Sequence, residues 1–78
     1  MTNLEKYDKI FMEILDVNKD ELEGLVYRKL PQWDSVGHMD IIVALEEAFD
    51  IQIGIVDVIK IASYPKGKDV LRIYGVEI

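Results

Sequence analysis

The chain has 78 residues, half of them apolar, with 15 acidic and 9 basic side chains, one histidine and no cysteine. One domain over residues 1–78 is expected at that length, and without cysteine there are no disulfides, thiol nucleophiles or thiolate metal sites. A net charge of −6 argues against nucleic acid and anionic membrane surfaces, which are met by Lys and Arg, and a single histidine excludes a His-rich zinc site.

Thr2 and Glu5 have capping-box spacing, and Leu4, Tyr7, Ile10, Phe11, Ile14 and Leu15 follow at intervals of three and four. The first helix is therefore predicted from Asn3 to Asp16. From Asp16 to Asp34 the apolar residues Val17, Leu22, Leu25, Val26 and Leu30 are scattered among polar ones, with Gly24 and Pro31 as breakers. This reads as a long loop pinned to the core, with a turn of helix around Asp20–Leu25; a loop of that length implies a specific job or a specific fold. The second helix opens at Asp34-Ser35, either of which can cap it. It carries Val36, Met39, Ile42, Val43 and Leu45–Phe49 at helical spacing and ends near Phe49–Asp50.

In Asp50–Ile61 the residues Ile51, Ile53 and Ile55 alternate with Gln52 and Gly54, a strand pattern with no second alternating run to pair with. A buried extended loop and a short helix over Val56–Ala62 are predicted instead. Ser63 caps the last helix, Pro65 fits its first turn, Val70, Leu71, Ile73 and Tyr74 form its apolar side, and Gly75 ends it. The expected fold is all-α: three main helices, one short helix, and a long loop between the first two. The opening MTNLEKYDKIF is too polar for a secretory leader. No apolar run approaches the roughly 20 residues that span a bilayer, so a soluble, cytoplasmic protein without membrane insertion is expected.

The charge is unevenly placed. Residues 1–33 carry a net −2 and residues 58–78 a net +2. Residues 34–57 hold six acids (Asp34, Asp40, Glu46, Glu47, Asp50, Asp57) and no base. An acidic stretch is commonly a solvated face, but a helix without one Lys forgoes the pairs that would stabilise it.

The chain has no phosphate-cradling glycine loop and no nucleophile elbow. Asp34, Ser35 and His38 are close enough in sequence to suggest a triad, but nothing indicates an orienting group or oxyanion donors. His38 reads as a surface or boundary histidine. Ser35 reads either as a helix cap or as a hydroxyl placed to carry a phosphate-linked group, since a helix start tolerates a phosphodiester.

Leu30-Pro31-Gln32-Trp33-Asp34-Ser35-Val36, then Met39, Ala44-Leu45-Glu46-Glu47 and Phe49-Asp50-Ile51, resembles the acyl carrier protein family. The family's signature is Asp-Ser-Leu at the start of helix two and a Leu-Glu-Glu-x-Phe ending fourteen residues after the serine, the spacing of Ser35 to Phe49. Weaker likeness extends over helix one, Ile61-x-Ser63, Leu71 and Tyr74-Gly75-Val76. The resemblance implies a small acyl-carrier-like four-helix bundle and a carrier rather than an enzyme. Ser35 would be esterified by 4′-phosphopantetheine from coenzyme A through a separate, Mg²⁺-using phosphopantetheinyl transferase, and the arm's thiol would hold an acyl or aminoacyl group as a thioester. Asp34 would cap helix two and help orient the site. Val36, Asp40, Val43, Glu46 and Glu47 match the positions with which the family meets basic patches on partner enzymes: a loading ligase or acyltransferase and downstream biosynthetic enzymes.

Gln32, Trp33 and Val36 depart from the family's usual Gly and Leu near the serine, Gly37 and His38 replace a usual acidic residue and its neighbour, and the helix-three region is rich in Ile and Val. These departures point away from housekeeping fatty-acid synthesis toward a specialised carrier of short acyl, hydroxyacyl or aminoacyl groups. Trp33 is expected to pack over the start of helix two. A monomer is expected of a part that visits several enzymes; the alternative is that the Ile-rich Asp50–Ile61 stretch supplies a contact surface. The competing reading is an unmodified, carrier-shaped module that binds a basic partner through helix two.

Overall fold

In a computed structural model, which describes residues 1–78, helix α1 (Asn3–Leu15) begins where Thr2 and Glu5 place it. The Glu5 amide donates to Thr2 Oγ1 (3.1 Å) and the Thr2 amide donates to the Glu5 carboxylate (2.9 Å), the two halves of a capping box. These bonds hold the Glu5 carboxyl below its usual range. Tyr7, Phe11 and Leu15, one helical turn apart, are fully buried. Asp16 then turns the chain out with φ 55°, a left-handed conformation that Asp tolerates better than most residues.

The predicted helical turn in the following loop is a 3-10 helix over Lys19–Gly24, and Leu22 and Leu25 bury themselves as anchors. Beyond it the loop is stitched across the molecule. The Tyr27 amide donates to the Ala62 carbonyl (2.8 Å) and the Tyr64 amide to the Leu25 carbonyl (3.1 Å), around an isolated antiparallel bridge between Val26 and Ser63.

Three further helices complete an all-α fold without strands: α2 (Ser35–Phe49), α3 (Ile55–Lys60) and α4 (Tyr64–Ile73). On helix α2 Val36, Met39 and Val43 form a stripe at helical spacing that faces solvent at 70, 50 and 47 % exposure. The face toward the core is Gly37, His38, Ile41, Ile42 and Leu45. Both faces are apolar, and periodicity alone did not separate them.

Residues 51–54 form a loop rather than a strand, as expected, but only Ile53 of them is buried, and two of their amides find side-chain partners. The Ile53 amide donates to the Glu46 carboxylate (2.9 Å) and the Gly54 amide to the Tyr74 hydroxyl (2.8 Å). Helix α3 starts one residue earlier than predicted and stops at Lys60 rather than Ala62, because the Ala62 amide turns back to the Lys60 carbonyl (2.8 Å). Ser63 caps α4, its Oγ accepting from the Lys66 amide (3.2 Å).

Helices α1 and α4 meet through aromatic rings. Tyr7 and Phe11 lie 4.7 Å apart between centroids, Tyr7 and Tyr64 5.1 Å, and Phe11 meets Trp33 edge-on at 5.5 Å. The Tyr7 hydroxyl donates to the Tyr64 carbonyl (2.6 Å) and the Tyr64 hydroxyl to the buried Asp8 carboxylate. Gly67 makes this approach possible: a Cβ there would lie 2.1 Å from Tyr7 Oη. No buried side-chain nitrogen or oxygen lacks a partner, and no helix is long and apolar enough to cross a membrane.

Candidate functional site

Asp34, not Ser35, caps α2. Its extended backbone (φ −98°, ψ −169°) aims Oδ1 at the Gly37 amide, which donates to it at 2.8 Å, while the His38 amide donates to the Asp34 carbonyl (2.8 Å). Ser35 is thereby released from the capping role and becomes the first helical residue, with an exposed side chain.

The segment before it is folded tightly against the helix. The Trp33 amide donates to the Leu30 carbonyl (3.1 Å) and the Arg28 amide to the Trp33 carbonyl (3.0 Å), with Arg28 at φ 69°. The Gln32 carbonyl then seats directly on the first turn of α2, 2.1 Å from where a Cβ at Gly37 would stand. Gly37, a departure from the family pattern, is required by this close approach.

His38 is not a surface residue: it is 8 % exposed and bonded through both ring nitrogens. Trp33 Nε1–H donates to His38 Nδ1 (2.9 Å), and His38 Nε2–H donates to the Val58 carbonyl of α3 (2.8 Å). Nδ1 accepts from the indole and Nε2 faces a carbonyl, the pairing of the tautomer with its hydrogen on Nε2. Neither nitrogen is left for the Ser35 hydroxyl, and the sequence proximity of Asp34, Ser35 and His38 does not become a triad. Trp33 itself is fully buried, packed edge-on against Phe11 and Tyr27.

The six acids of residues 34–57 divide in two. Asp34 caps α2, Glu46 accepts from the Ile53 amide, and Asp57 accepts from the Tyr74 hydroxyl (2.6 Å) with Lys60 3.9 Å away. The bond to Asp57 pushes the Tyr74 phenol up. Asp40, Glu47 and Asp50 remain exposed on the surface. Of the residues matched to partner contact, Val36, Asp40, Val43 and Glu47 are exposed on α2, whereas Glu46 is half-buried and occupied by its own chain. Val43 and Glu47 also border a shallow groove with Asp50, Ile51 and Ile53.

Comparison with known protein families, with curated proteins and with solved structures finds no match.

The Ile-rich Asp50–Ile61 stretch, which the sequence offers as an alternative contact surface, does expose Ile55, Val56 and Ile59 on α3, at 80, 61 and 74 %. The feature that lay outside the sequence reading is the Trp33–His38–Val58 connection. A lone Trp five residues before a lone His was the available signal, and nothing local says that both turn inward.

Proposed function

We propose that the chain is a carrier protein of the acyl carrier type, an acyl-carrier-like four-helix bundle esterified on Ser35 by 4′-phosphopantetheine. On that arm it holds acyl or aminoacyl intermediates as thioesters for biosynthetic enzymes. The observation that carries this reading is the division of labour at the start of α2: Asp34 takes the cap and leaves the Ser35 hydroxyl exposed. A phosphodiester on Ser35 faces the positive end of a 15-residue helix, where an anion is stabilised.

The surroundings support a part that is handled by others. From Ser35 the outer face of α2 continues as Val36, Met39 and Val43 flanked by Asp40 and Glu47. An apolar stripe with acidic flanks suits short-lived docking on a basic partner surface, where charge sets the encounter rate more than the final affinity. The chain has no thiol of its own, and the arm would supply the one that bears the thioester. The partners are a phosphopantetheinyl transferase, a loading ligase or acyltransferase, and downstream enzymes with basic patches.

The test is the intact mass of the protein after incubation with coenzyme A, Mg²⁺ and a broad-specificity phosphopantetheinyl transferase. One added 4′-phosphopantetheine group is expected on the wild type and none on Ser35→Ala. An unchanged mass, or the same gain on Ser35→Ala, overturns the reading.

A further inference from the structure

Helix α3 is weakly held. It has six residues, none of them buried, and Ile55, Val56 and Ile59 point into solvent. The Asp57–Tyr74 bond ties it to the turn after α4. Toward α2 its one side-chain hydrogen bond runs from His38 Nε2–H to the Val58 carbonyl. That carbonyl lies in the last turn of α3, where carbonyls lack helical partners, and the Ala62 amide that could have reached it bonds Lys60 instead. His38 is thus a C-terminal cap for α3 delivered from α2. Its ring is fixed in turn by Trp33, and Trp33 and His38 bracket the Asp34-Ser35 pair in the chain.

We propose that His38 is a positioning residue: the Trp33–His38–Val58 relay holds α3 in register with the first turn of α2. An enzyme acting on Ser35 then meets Val36, Met39 and Val43 with α3 already fixed beside the first turn of α2. The inference rests on the carrier reading of Ser35 and adds to it a residue outside the docking face. Side chains already held in place cost a partner less ordering when it binds. An imidazole suits the role because it accepts at one ring nitrogen while donating from the other. A leucine would fill the volume and do neither, whereas a glutamine can do both.

The experiment measures steady-state transfer from coenzyme A to the carrier by a broad-specificity phosphopantetheinyl transferase, read by intact mass. It compares wild type, His38→Leu, His38→Gln and Trp33→Phe, with amide hydrogen exchange on each. Trp33→Phe keeps an aromatic ring while removing the indole donor and one ring of buried volume, and it leaves His38 in place, so it serves if His38→Leu does not fold. His38→Leu and Trp33→Phe are expected to raise KM for the carrier about tenfold with kcat within about twofold, the pattern of lost docking rather than lost chemistry. Exchange should rise over residues 55–62 and stay unchanged over residues 41–49, and His38→Gln should recover most of the wild-type KM. Faster exchange in α3 with unchanged KM overturns the inference, as does unchanged exchange or a fall in kcat alone. A wild-type protein that gains no mass overturns the carrier reading and this inference with it.

Discussion

The seam between α1 and α4 and the set of outward-facing apolar residues on α2 and α3 are built on opposite plans. The first is closed by Tyr7, Phe11 and Tyr64, with both phenols and the Asp8 carboxylate buried and hydrogen-bonded. The second leaves six large apolar side chains between 47 and 80 % exposed: Val36, Met39, Val43, Ile55, Val56 and Ile59. A chain this short buries a small share of its surface and has little core to spare. The aromatic seam joins one core with Leu15, Ile41, Ile42, Leu45 and Ile61, and the exposed residues of α2 and α3 lie outside it.

A pair of single substitutions can break that comparison outright. Gly67→Ala forces a methyl to 2.1 Å from Tyr7 Oη and 3.1 Å from its Cζ, and the ring cannot retreat because its hydroxyl is bonded to the Tyr64 carbonyl. A loss of about 2–3 kcal/mol in urea unfolding is expected, the cost of overpacking a close contact. Val56→Ser, on a side chain 61 % exposed, should change stability by less than about 0.5 kcal/mol. Equal losses would mean that the outer face belongs to the core after all.

Alkaline pH sharpens the same contrast. Burial pushes both the Tyr7 and Tyr64 phenols up, and for Tyr64 the bond to Asp8 adds to it. A phenol whose folded pKa lies above its unfolded value of about 10 is favoured neutral in the fold. Its contribution is therefore complete below pH about 10 and is lost as pH rises toward the folded value. Stability by urea unfolding should fall steeply above that point. Tyr64→Phe should cost about 1–3 kcal/mol at neutral pH, by leaving Asp8 buried without its donor, and should flatten the alkaline fall. A wild-type stability that stays level to pH about 11 would contradict this account of the seam.

The legible parts of the fold were those written in local chemistry. The Thr2–Glu5 box, the Ser63 cap and the Asp34-Ser35 helix start each depend on residues within three positions of one another. The turns at Asp16 and Asp50, both left-handed with φ 55° and 52°, also fell where the helices were expected to end. What stayed hidden needed a partner far along the chain. His38 turned inward because the carbonyl it meets belongs to Val58, twenty residues on. The alternating Ile51–Ile55 segment needed no second strand because Glu46 and Tyr74 side chains take its amides. At the candidate site the position of Ser35 was legible, whereas the choice of Asp34 as the cap came only with the fold.

The finest division runs between two adjacent carboxylates, Glu46 and Glu47. They point about 100° apart around α2, which sends one to the Ile53 amide (2.9 Å) and leaves the other exposed. Glu46→Ala should cost about 1 kcal/mol in urea unfolding by freeing the Ile53 amide, while Glu47→Ala stays within about 0.5 kcal/mol. In the transferase assay the order should reverse in kind. Glu47→Lys should raise KM for the carrier through charge, with a salt dependence that weakens as ionic strength rises, because screening removes the attraction that is lost. Any effect of Glu46→Ala on KM should instead accompany faster amide exchange in residues 51–54, which marks a loosened loop. If Glu47→Lys is silent at low salt while Glu46→Ala is not, the acidic residues of α2 serve the fold of this chain and not its encounter with a partner.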